Sequence, residues 1–99
     1  MKYNAKMVEE IIKQNEIELR QKFGIKEIYL FGSVVRGEAT EKSDIDLLVI
    51  FEPQFSASFF TLYDLEQFLT KKLNARVDIG TKLHPLLKDQ IMREALRVA

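Results

Sequence analysis

The sequence contains no cysteine, a single histidine and only two prolines among its 99 residues. Without cysteine the chain forms no disulfide bond and no thiolate metal site, and it suits a reducing compartment, so we expect a cytoplasmic protein. The one histidine, His84, stands directly before Pro85. We interpret it as a cap or surface residue rather than as a metal ligand.

The chain also lacks net charge and long hydrophobic runs. Fifteen basic and fifteen acidic side chains cancel, so no broad electrostatic attraction to nucleic acid or to a membrane surface is expected. No apolar run approaches the ~20 residues of a membrane span, and the N-terminus lacks the apolar core of a signal peptide. With 46% hydrophobic residues, the composition predicts a single domain covering residues 1–99.

The first half of the chain shows one helical pattern and two apolar strands. Apolar residues at helical spacing predict a helix over residues 5–22, closed near Gly24. A strand at 26–31 and a second strand at 44–51 flank the polar turn 34–43. Ten residues are too few for a parallel crossover, so we expect the two strands to be antiparallel neighbours.

The second half predicts a helix, a third strand and a final helix. The first of these helices begins after Ser56 or Ser58 and runs to about Leu73. It leads to a strand over 75–79, parallel to the second strand because the connection is helical. A last helix begins at Pro85, with an apolar line formed by Leu87, Ile91 and Ala95. The expected fold class is a small two-layer α+β or α/β fold, helix–strand–turn–strand–helix–strand–helix, with a mixed sheet.

Two aspartates open the second predicted strand. Alternate residues of a strand project to the same face, roughly 6.5–7 Å apart, so Asp44 and Asp46 point together while Ile45 enters the opposite layer. Two carboxylates at this spacing suit one or two hard divalent cations such as Mg²⁺, which prefer oxygen ligands. Without a cation the two charges repel and raise one pKa. The pair therefore predicts a metal-dependent catalytic site.

A glycine–serine turn closes the first predicted strand. Gly32 has no side chain to block phosphate oxygens, and the amides around Ser33 at the start of a helical turn form an anion-binding nest. Arg36 either adds a charged donor for the same phosphates or lies on the surface. If the first two strands are antiparallel, this turn lies beside the aspartate pair. The turn therefore predicts the site for the phosphates of a nucleotide.

A third carboxylate, Asp78, belongs to the third predicted strand. If the second and third strands are parallel and begin level, Asp78 lies beside Asp46, about one strand spacing (~4.8 Å) away. There it can bind a second metal ion or take the proton from an attacking hydroxyl. The alternative is a solvated residue at the edge of the sheet.

Together these residues resemble the signature of the DNA polymerase β-type nucleotidyltransferase superfamily. The resemblance rests on Gly32-Ser33, ten intervening residues, Asp44-Ile45-Asp46 and the later Val77-Asp78. The short length and the form Gly-Ser-x-x-Arg-Gly resemble its minimal nucleotidyltransferase (MNT) branch most closely. The resemblance covers nearly the whole chain, and no residue of the motif is missing.

The resemblance implies a small nucleotidyltransferase fold and a role for each motif residue. Asp44 and Asp46 are expected to bind two Mg²⁺ ions, Asp78 to complete the site, and Gly32 and Ser33 to hold a triphosphate. Many domains of this branch are antitoxins paired with a HEPN-type ribonuclease toxin, and some transfer AMP from ATP to a tyrosine of that toxin. The resemblance implies the same activity and the same partner here.

Two other functions stay open at the level of sequence. One is a non-catalytic antitoxin that neutralises its toxin by occlusion. The other is a transferase directed at RNA or DNA, which the zero net charge disfavours. The sequence leaves both homo- and hetero-oligomers open.

An aromatic cluster lies between the second strand and the following helix: Phe51, Phe55, Phe59, Phe60 and Tyr63. We interpret most of it as core. Because the run does not fit on a single helix face, a subset, Phe55 with Phe59 or Phe60, is an alternative candidate for an exposed partner patch.

Overall fold

The computed structural model describes residues 4–40, 42–55, 58–81 and 93–99. Within these residues, four strands form one mixed sheet in the order β3-β2-β1-β4. The strands are β1 (Ile25–Phe31), β2 (Ile45–Phe51), β3 (Val77–Gly80) and β4 (Leu96–Arg97). The helices are α1 (Ala5–Gln14), α2 (Glu16–Phe23), α3 (Ser33–Arg36) and α4 (Phe59–Leu73). The antiparallel β1–β2 pair and the parallel β2–β3 pair are both as expected.

The predicted helix over residues 5–22 is two helices, which meet at Asn15. The Asn15 side chain donates a hydrogen bond to the Ile11 carbonyl (2.8 Å), and its backbone N–H bonds to Ile12 rather than to Ile11 (3.1 Å). An asparagine that competes for a carbonyl of the preceding turn favours a break in the helix. The predicted ends are confirmed, since Asn4 accepts from the Met7 N–H and Gly24 closes α2 with φ +68°.

The C-terminus holds a strand that was not predicted, because residues 96–97 form β4 after the position of the expected last helix. β4 pairs with β1 opposite Tyr29 and Leu30. The pairing continues beyond it, since the N–H of Val98 donates to the Ile28 carbonyl (2.9 Å). Two features favour a strand here. The Val98 side chain is buried, and the edge of β1 carries backbone groups that need hydrogen-bond partners. Pro85, Leu87 and Ile91 of the expected last helix, and His84 before it, lie outside the described residues. Residues 93–94 are helical, whereas Ala95, the last residue of the expected apolar line, is outside any helix and only half-buried.

The core lies between one face of the sheet and the helices. Ile45, Leu47 and Val49 alternate along β2 and are fully buried. They belong to the same cluster as the apolar stripe of α4, formed by Leu65, Leu69 and Leu73. Asp44 and Asp46, at the alternate positions, therefore lie on the opposite face of β2, as the strand periodicity predicts.

α4 begins at a serine cap and returns the chain to the edge of the sheet. The Ser58 side chain accepts a hydrogen bond from the Thr61 N–H (3.3 Å), which confirms one of the two predicted caps; Ser56 lies outside the described residues. Lys71 and Lys72 in the last turn suit the negative end of the helix dipole. Among the residues searched, neither α4 nor any other helix is long and apolar enough to cross a membrane.

Candidate active site

The three aspartates of the sequence motif lie at the beginning of β2 and β3. Asp46 and Asp78 are direct partners in the parallel register. Asp46 is half-buried, whereas Asp44 and Asp78 are exposed. The predicted neighbourhood of Asp46 and Asp78 is therefore confirmed, about one strand spacing apart.

Asp44 forms an ion pair that the sequence did not predict. Arg76 Nε lies 3.1 Å from Asp44 Oδ1, and the same guanidinium donates to the Lys42 carbonyl (3.1 Å). Both side chains of the ion pair are exposed, so it contributes little to stability. Arg76 precedes Asp78 by two residues, so the two side chains lie on the same face of the strand. This spacing was the sequence signal for a positively charged side chain beside the carboxylates.

Asp46 has a raised pKa. Burial is the main cause, and the negative charges of Asp78 and Asp44 add to it; Arg36 partly offsets the shift. A half-buried carboxylate beside two others favours either a proton or a cation. This electrostatic state is the one expected of an oxygen-donor site for a divalent metal.

Gly32 leaves room for the Asp46 carboxylate. Phe31 pairs with Asp46 across β1 and β2, so the glycine that follows β1 lies beside that side chain. A Cβ at residue 32 would overlap Asp46 Oδ2. Gly32 also has φ +81° and ψ −153°, a conformation that is essentially restricted to glycine. The glycine–serine turn and the aspartates are therefore adjacent, as predicted.

We expect Gly32→Ala to destabilise the protein by about 3 kcal/mol, because backbone strain adds to overlap with Asp46. The matched control is Gly37→Ala. Gly37 also has a positive φ, +74°, but nothing lies within 4 Å of an added Cβ. It should cost only about 1 kcal/mol, measured by urea unfolding. Equal losses in both variants would show that contact with Asp46 does not constrain residue 32.

Ser33 begins the single helical turn α3, as predicted. Gly37 closes that turn in the left-handed conformation, and the Glu38 N–H donates to the Ser33 carbonyl (2.9 Å). The first amides of a helical turn have no carbonyl partner within the helix. Ser33 therefore presents donors beside Gly32 and Asp46.

Arg36 lies at the surface and is bound to two glutamates. Its guanidinium is 3.2 Å from Glu38 and 3.3 Å from Glu94. It is nevertheless close enough to Asp46 to lower the pKa of that carboxyl. The structure agrees with both interpretations of Arg36. Its side chain lies at the surface, and its positive charge lowers the pKa of Asp46.

The three aspartates supply the oxygen ligands that a hard cation prefers, although their side chains do not point to one common position. Among the described residues, no three of the His, Cys, Asp and Glu side chains lie close enough together to hold a metal ion. Asp44 is directed to Arg76 instead. The backbone register of Asp46 and Asp78, the raised pKa of Asp46 and the space left by Gly32 still suit Mg²⁺. Asp44 completes the set only if it leaves Arg76.

An open cleft of about 330 Å³ adjoins the aspartates on the β3 side of the sheet. Its lining includes Asp44 and Asp78, together with residues that the sequence analysis did not single out: Glu66, Gln67, Thr70 and Arg76. Positions 66, 67 and 70 share one face of α4 by helical periodicity, which was the available signal for them.

Two further features are the turn before β2 and the aromatic cluster. Ser43 shapes the turn by accepting a hydrogen bond from the Thr40 N–H (3.0 Å). The core interpretation of the cluster is wrong for four of its members, Phe55, Phe59, Phe60 and Tyr63, which are 44%, 78%, 76% and 54% exposed. The last three lie on a side of α4 turned away from Leu65, Leu69 and Leu73.

Comparison with known proteins identifies the family. Residues 12–98 match the family described as Nucleotidyltransferase domain. The chain belongs to the nucleotidyltransferase family. This nucleotidyltransferase is 43% identical over 90 residues to the protein adenylyltransferase MntA of Thermococcus cleftensis, a match covering 91% of this chain and 87% of the relative.

Solved structures agree with this assignment. A structure provisionally named a minimal nucleotidyltransferase has a TM-score of 0.71 and 38% identity, over 90% of this chain and 93% of that one. A tri-AMPylated Shewanella oneidensis HEPN toxin in complex with its MNT antitoxin has a TM-score of 0.63. That match is 21% identical over 92% of this chain and 71% of that chain, so it shows a shared fold. The fold is that of a minimal nucleotidyltransferase enzyme, as the resemblance implied.

Proposed function

We propose that this nucleotidyltransferase is a protein adenylyltransferase that moves AMP from ATP to a tyrosine hydroxyl of a HEPN-type toxin and thereby acts as its antitoxin. The observation that carries the proposal is the row formed by Gly32, Asp46 and Asp78 across neighbouring strands. This row combines a phosphate-binding turn with a metal-binding carboxylate and a proton acceptor.

The glycine–serine turn binds the triphosphate. Gly32 allows phosphate oxygens to approach the backbone, and the amide and hydroxyl of Ser33 donate hydrogen bonds to them. Arg36 contributes positive charge from the same side and can bind a phosphate once it leaves Glu38 or Glu94. These contacts hold the β- and γ-phosphates, which leave as pyrophosphate.

Asp44, Asp46 and Asp78 are the residues that would hold two Mg²⁺ ions. When bound, the metal neutralises negative charge on the entering and leaving oxygens of the displacement. The half-buried position of Asp46 keeps water from competing for one side of its carboxylate. Asp44 exchanges its ion pair with Arg76 for this role.

Asp78 accepts the proton of the acceptor hydroxyl. The hydroxyl oxygen attacks the α-phosphorus, the bond from that phosphorus to the bridging oxygen of the β-phosphate breaks, and pyrophosphate departs. The exposure of Asp78 lets an acceptor from another protein reach it. The products are pyrophosphate and a toxin that carries one AMP.

The comparisons support the donor and the partner. The Thermococcus cleftensis relative is named for adenylyl transfer to protein, which requires an adenine nucleotide. The more distant Shewanella structure pairs an MNT antitoxin with an AMPylated HEPN toxin.

One observation favours a second function, neutralisation by occlusion without catalysis. Asp44 is bound to Arg76, and the carboxylates of the described chain do not converge on one metal position. In that case the chain would cover the toxin without modifying it. The intact aspartate trio and glycine–serine turn favour catalysis.

Intact-mass measurement tests the proposal directly. The protein is incubated with Mg²⁺, a HEPN-type toxin, and each of the four ribonucleoside triphosphates in turn. Of the four nucleotides, we expect only ATP to add mass to the partner, as one or more AMP groups. Peptide mapping should place these groups on tyrosine. Binding without any mass gain would favour occlusion, and a gain with another nucleotide would overturn the assignment of ATP.

A further inference from the structure

One face of α4 combines an exposed aromatic end with the polar cleft of the active site. Phe59 and Phe60 lie at the start of the helix, with ring centroids 6.1 Å apart in an edge-to-face arrangement. Tyr63 follows one turn later and Gln67 one turn after that. At 3.6 residues per turn, positions 59, 63, 67 and 70 fall within one broad stripe.

The C-terminal part of this stripe opens into the site. Glu66, Gln67 and Thr70 line the cleft that also contains Asp44 and Asp78. From Phe59 to Thr70 the helix advances about 16 Å, comparable to the footprint of a helix or strand of another protein. The aromatic and polar parts therefore share one side of α4, and the polar part adjoins Asp78 in the cleft. We name this surface, consisting of Phe59, Phe60, Tyr63, Glu66, Gln67 and Thr70, the α4 face.

The order of the strands determines the side from which an acceptor arrives. In an in-line displacement the attacking and leaving oxygens lie on opposite sides of the phosphorus. Gly32 and Ser33, which hold the leaving phosphates, lie at the end of β1. The sheet order β3-β2-β1 places Asp46 in the middle and Asp78 on the far side. The attacking hydroxyl must therefore enter from the β3 side, where the cleft lies.

We infer that the α4 face is the docking surface for the protein acceptor, with its aromatic end holding the partner and its polar end admitting the hydroxyl-bearing side chain. This inference rests on the proposed function and adds the location of the second substrate. The occupant is a folded protein rather than a nucleic acid, because the aromatic end offers apolar contact while the cleft carries Asp44, Glu66 and Asp78.

The chemistry of the cleft also selects the acceptor side chain. Arg76 presents a planar guanidinium, 76% exposed, at the wall opposite α4. Guanidinium groups stack favourably on aromatic rings. Thr70 and Gln67 supply hydrogen bonds to the backbone around the reacting residue. This combination suits the phenol of a tyrosine better than the short hydroxyl side chains of serine or threonine.

A paired substitution tests the α4 face against a matched control. Tyr63→Ala with Gln67→Ala removes one exposed aromatic residue and one amide one turn apart on α4. Ile17→Ala with Gln21→Ala makes the corresponding change on α2, where Ile17 is 73% exposed. All four positions are at the surface, and circular dichroism and thermal unfolding check that each variant folds. The probe is a HEPN-type toxin that the wild-type protein binds. Three quantities are measured for each variant: the dissociation constant of the toxin, the KM for the toxin, and the affinity for AMP-PNP with Mg²⁺.

We expect the α4 variant, Tyr63→Ala with Gln67→Ala, to bind the toxin at least about tenfold more weakly than the wild type. The KM for the toxin should rise by a similar factor. The AMP-PNP affinity and all properties of the α2 variant should stay at the wild-type values. Unchanged toxin binding by the α4 variant, or a loss in the α2 variant instead, would overturn the inference. A loss of AMP-PNP affinity would overturn it as well, because the cleft would then hold the nucleoside.

The toxin affinity separates failure of this inference from failure of the proposed function. If the wild type binds the toxin without modifying it and only the α4 variant loses binding, the docking surface stands and catalysis does not. If the wild type does not bind the toxin, both fail. If light scattering shows a wild-type dimer that the α4 variant converts to a monomer, the occupant is a second copy of this chain and the inference is wrong.

Discussion

Asp46→Asn is expected to lower AMP transfer by about 10³-fold while making the metal-free protein more stable. A neutral amide is a poor ligand for Mg²⁺ in place of the central carboxylate, and several kcal/mol of transition-state stabilisation are lost with it. The stability should change in the opposite direction, because burial, followed by the negative charges of Asp78 and Asp44, raises the pKa of Asp46.

The pH dependence of that stability has a definite sign. Because the pKa of Asp46 in the folded protein lies above its ordinary value of 3.8, the folded state holds the proton more tightly than the unfolded state does. The associated stability is fully present below pH 3.8 and is lost as the pH rises through the folded pKa. At pH 7 the folded wild type therefore carries the full repulsion, of about 1 kcal/mol for carboxylates one strand spacing apart.

The Asp46→Asn variant should accordingly unfold ~4–8 °C above the wild type at pH 7 without metal. The difference should shrink as the pH is lowered toward 3.8. Adding Mg²⁺ should raise the melting temperature of the wild type and leave the variant nearly unchanged. Asp64→Asn, which removes an exposed carboxylate of α4 outside the site, is the control and should change neither activity nor stability. Retained transfer by Asp46→Asn would contradict the assignment of this residue.

A double substitution, Asp44→Asn with Asp46→Asn, is expected to abolish protection of cells from the toxin at equal expression. Both changes preserve side-chain shape, so the α4 face and the affinity for the toxin should remain. Catalytic neutralisation would then fail although the complex still forms. The readout is growth of cells that express the toxin with either the wild-type or the doubly substituted chain, together with co-purification of the complex.

The control for this experiment is the α4 variant Tyr63→Ala with Gln67→Ala, which should lose protection because it loses binding. Protection by the doubly substituted chain at the wild-type level would contradict catalytic neutralisation and favour occlusion. The two variants thus separate contact with the toxin from chemistry on the toxin.

Local sequence signals determined the pairing of the first three strands and the placement of the aspartates and the glycine–serine turn. Antiparallel pairing of β1 and β2 follows from a short polar connection, and parallel pairing of β2 and β3 from a helical one. Alternation along β2 places Ile45 in the core and leaves Asp44 and Asp46 on the other face. Register then brings Asp78 beside Asp46. These relations depend on chain geometry over short distances, which is why residue spacing was enough to predict them.

Tertiary structure alone decided the features that depend on competition between distant partners. Arg76 pairs with Asp44 because the turn before β2 folds against the start of β3. Leu96 and Arg97 form a strand because β1 has an open edge with unsatisfied backbone groups. The aromatic side of α4 is exposed because three leucines already fill the space against the sheet. Each outcome depends on which of several distant partners gives the lowest free energy, and residue spacing along the chain does not reveal those partners.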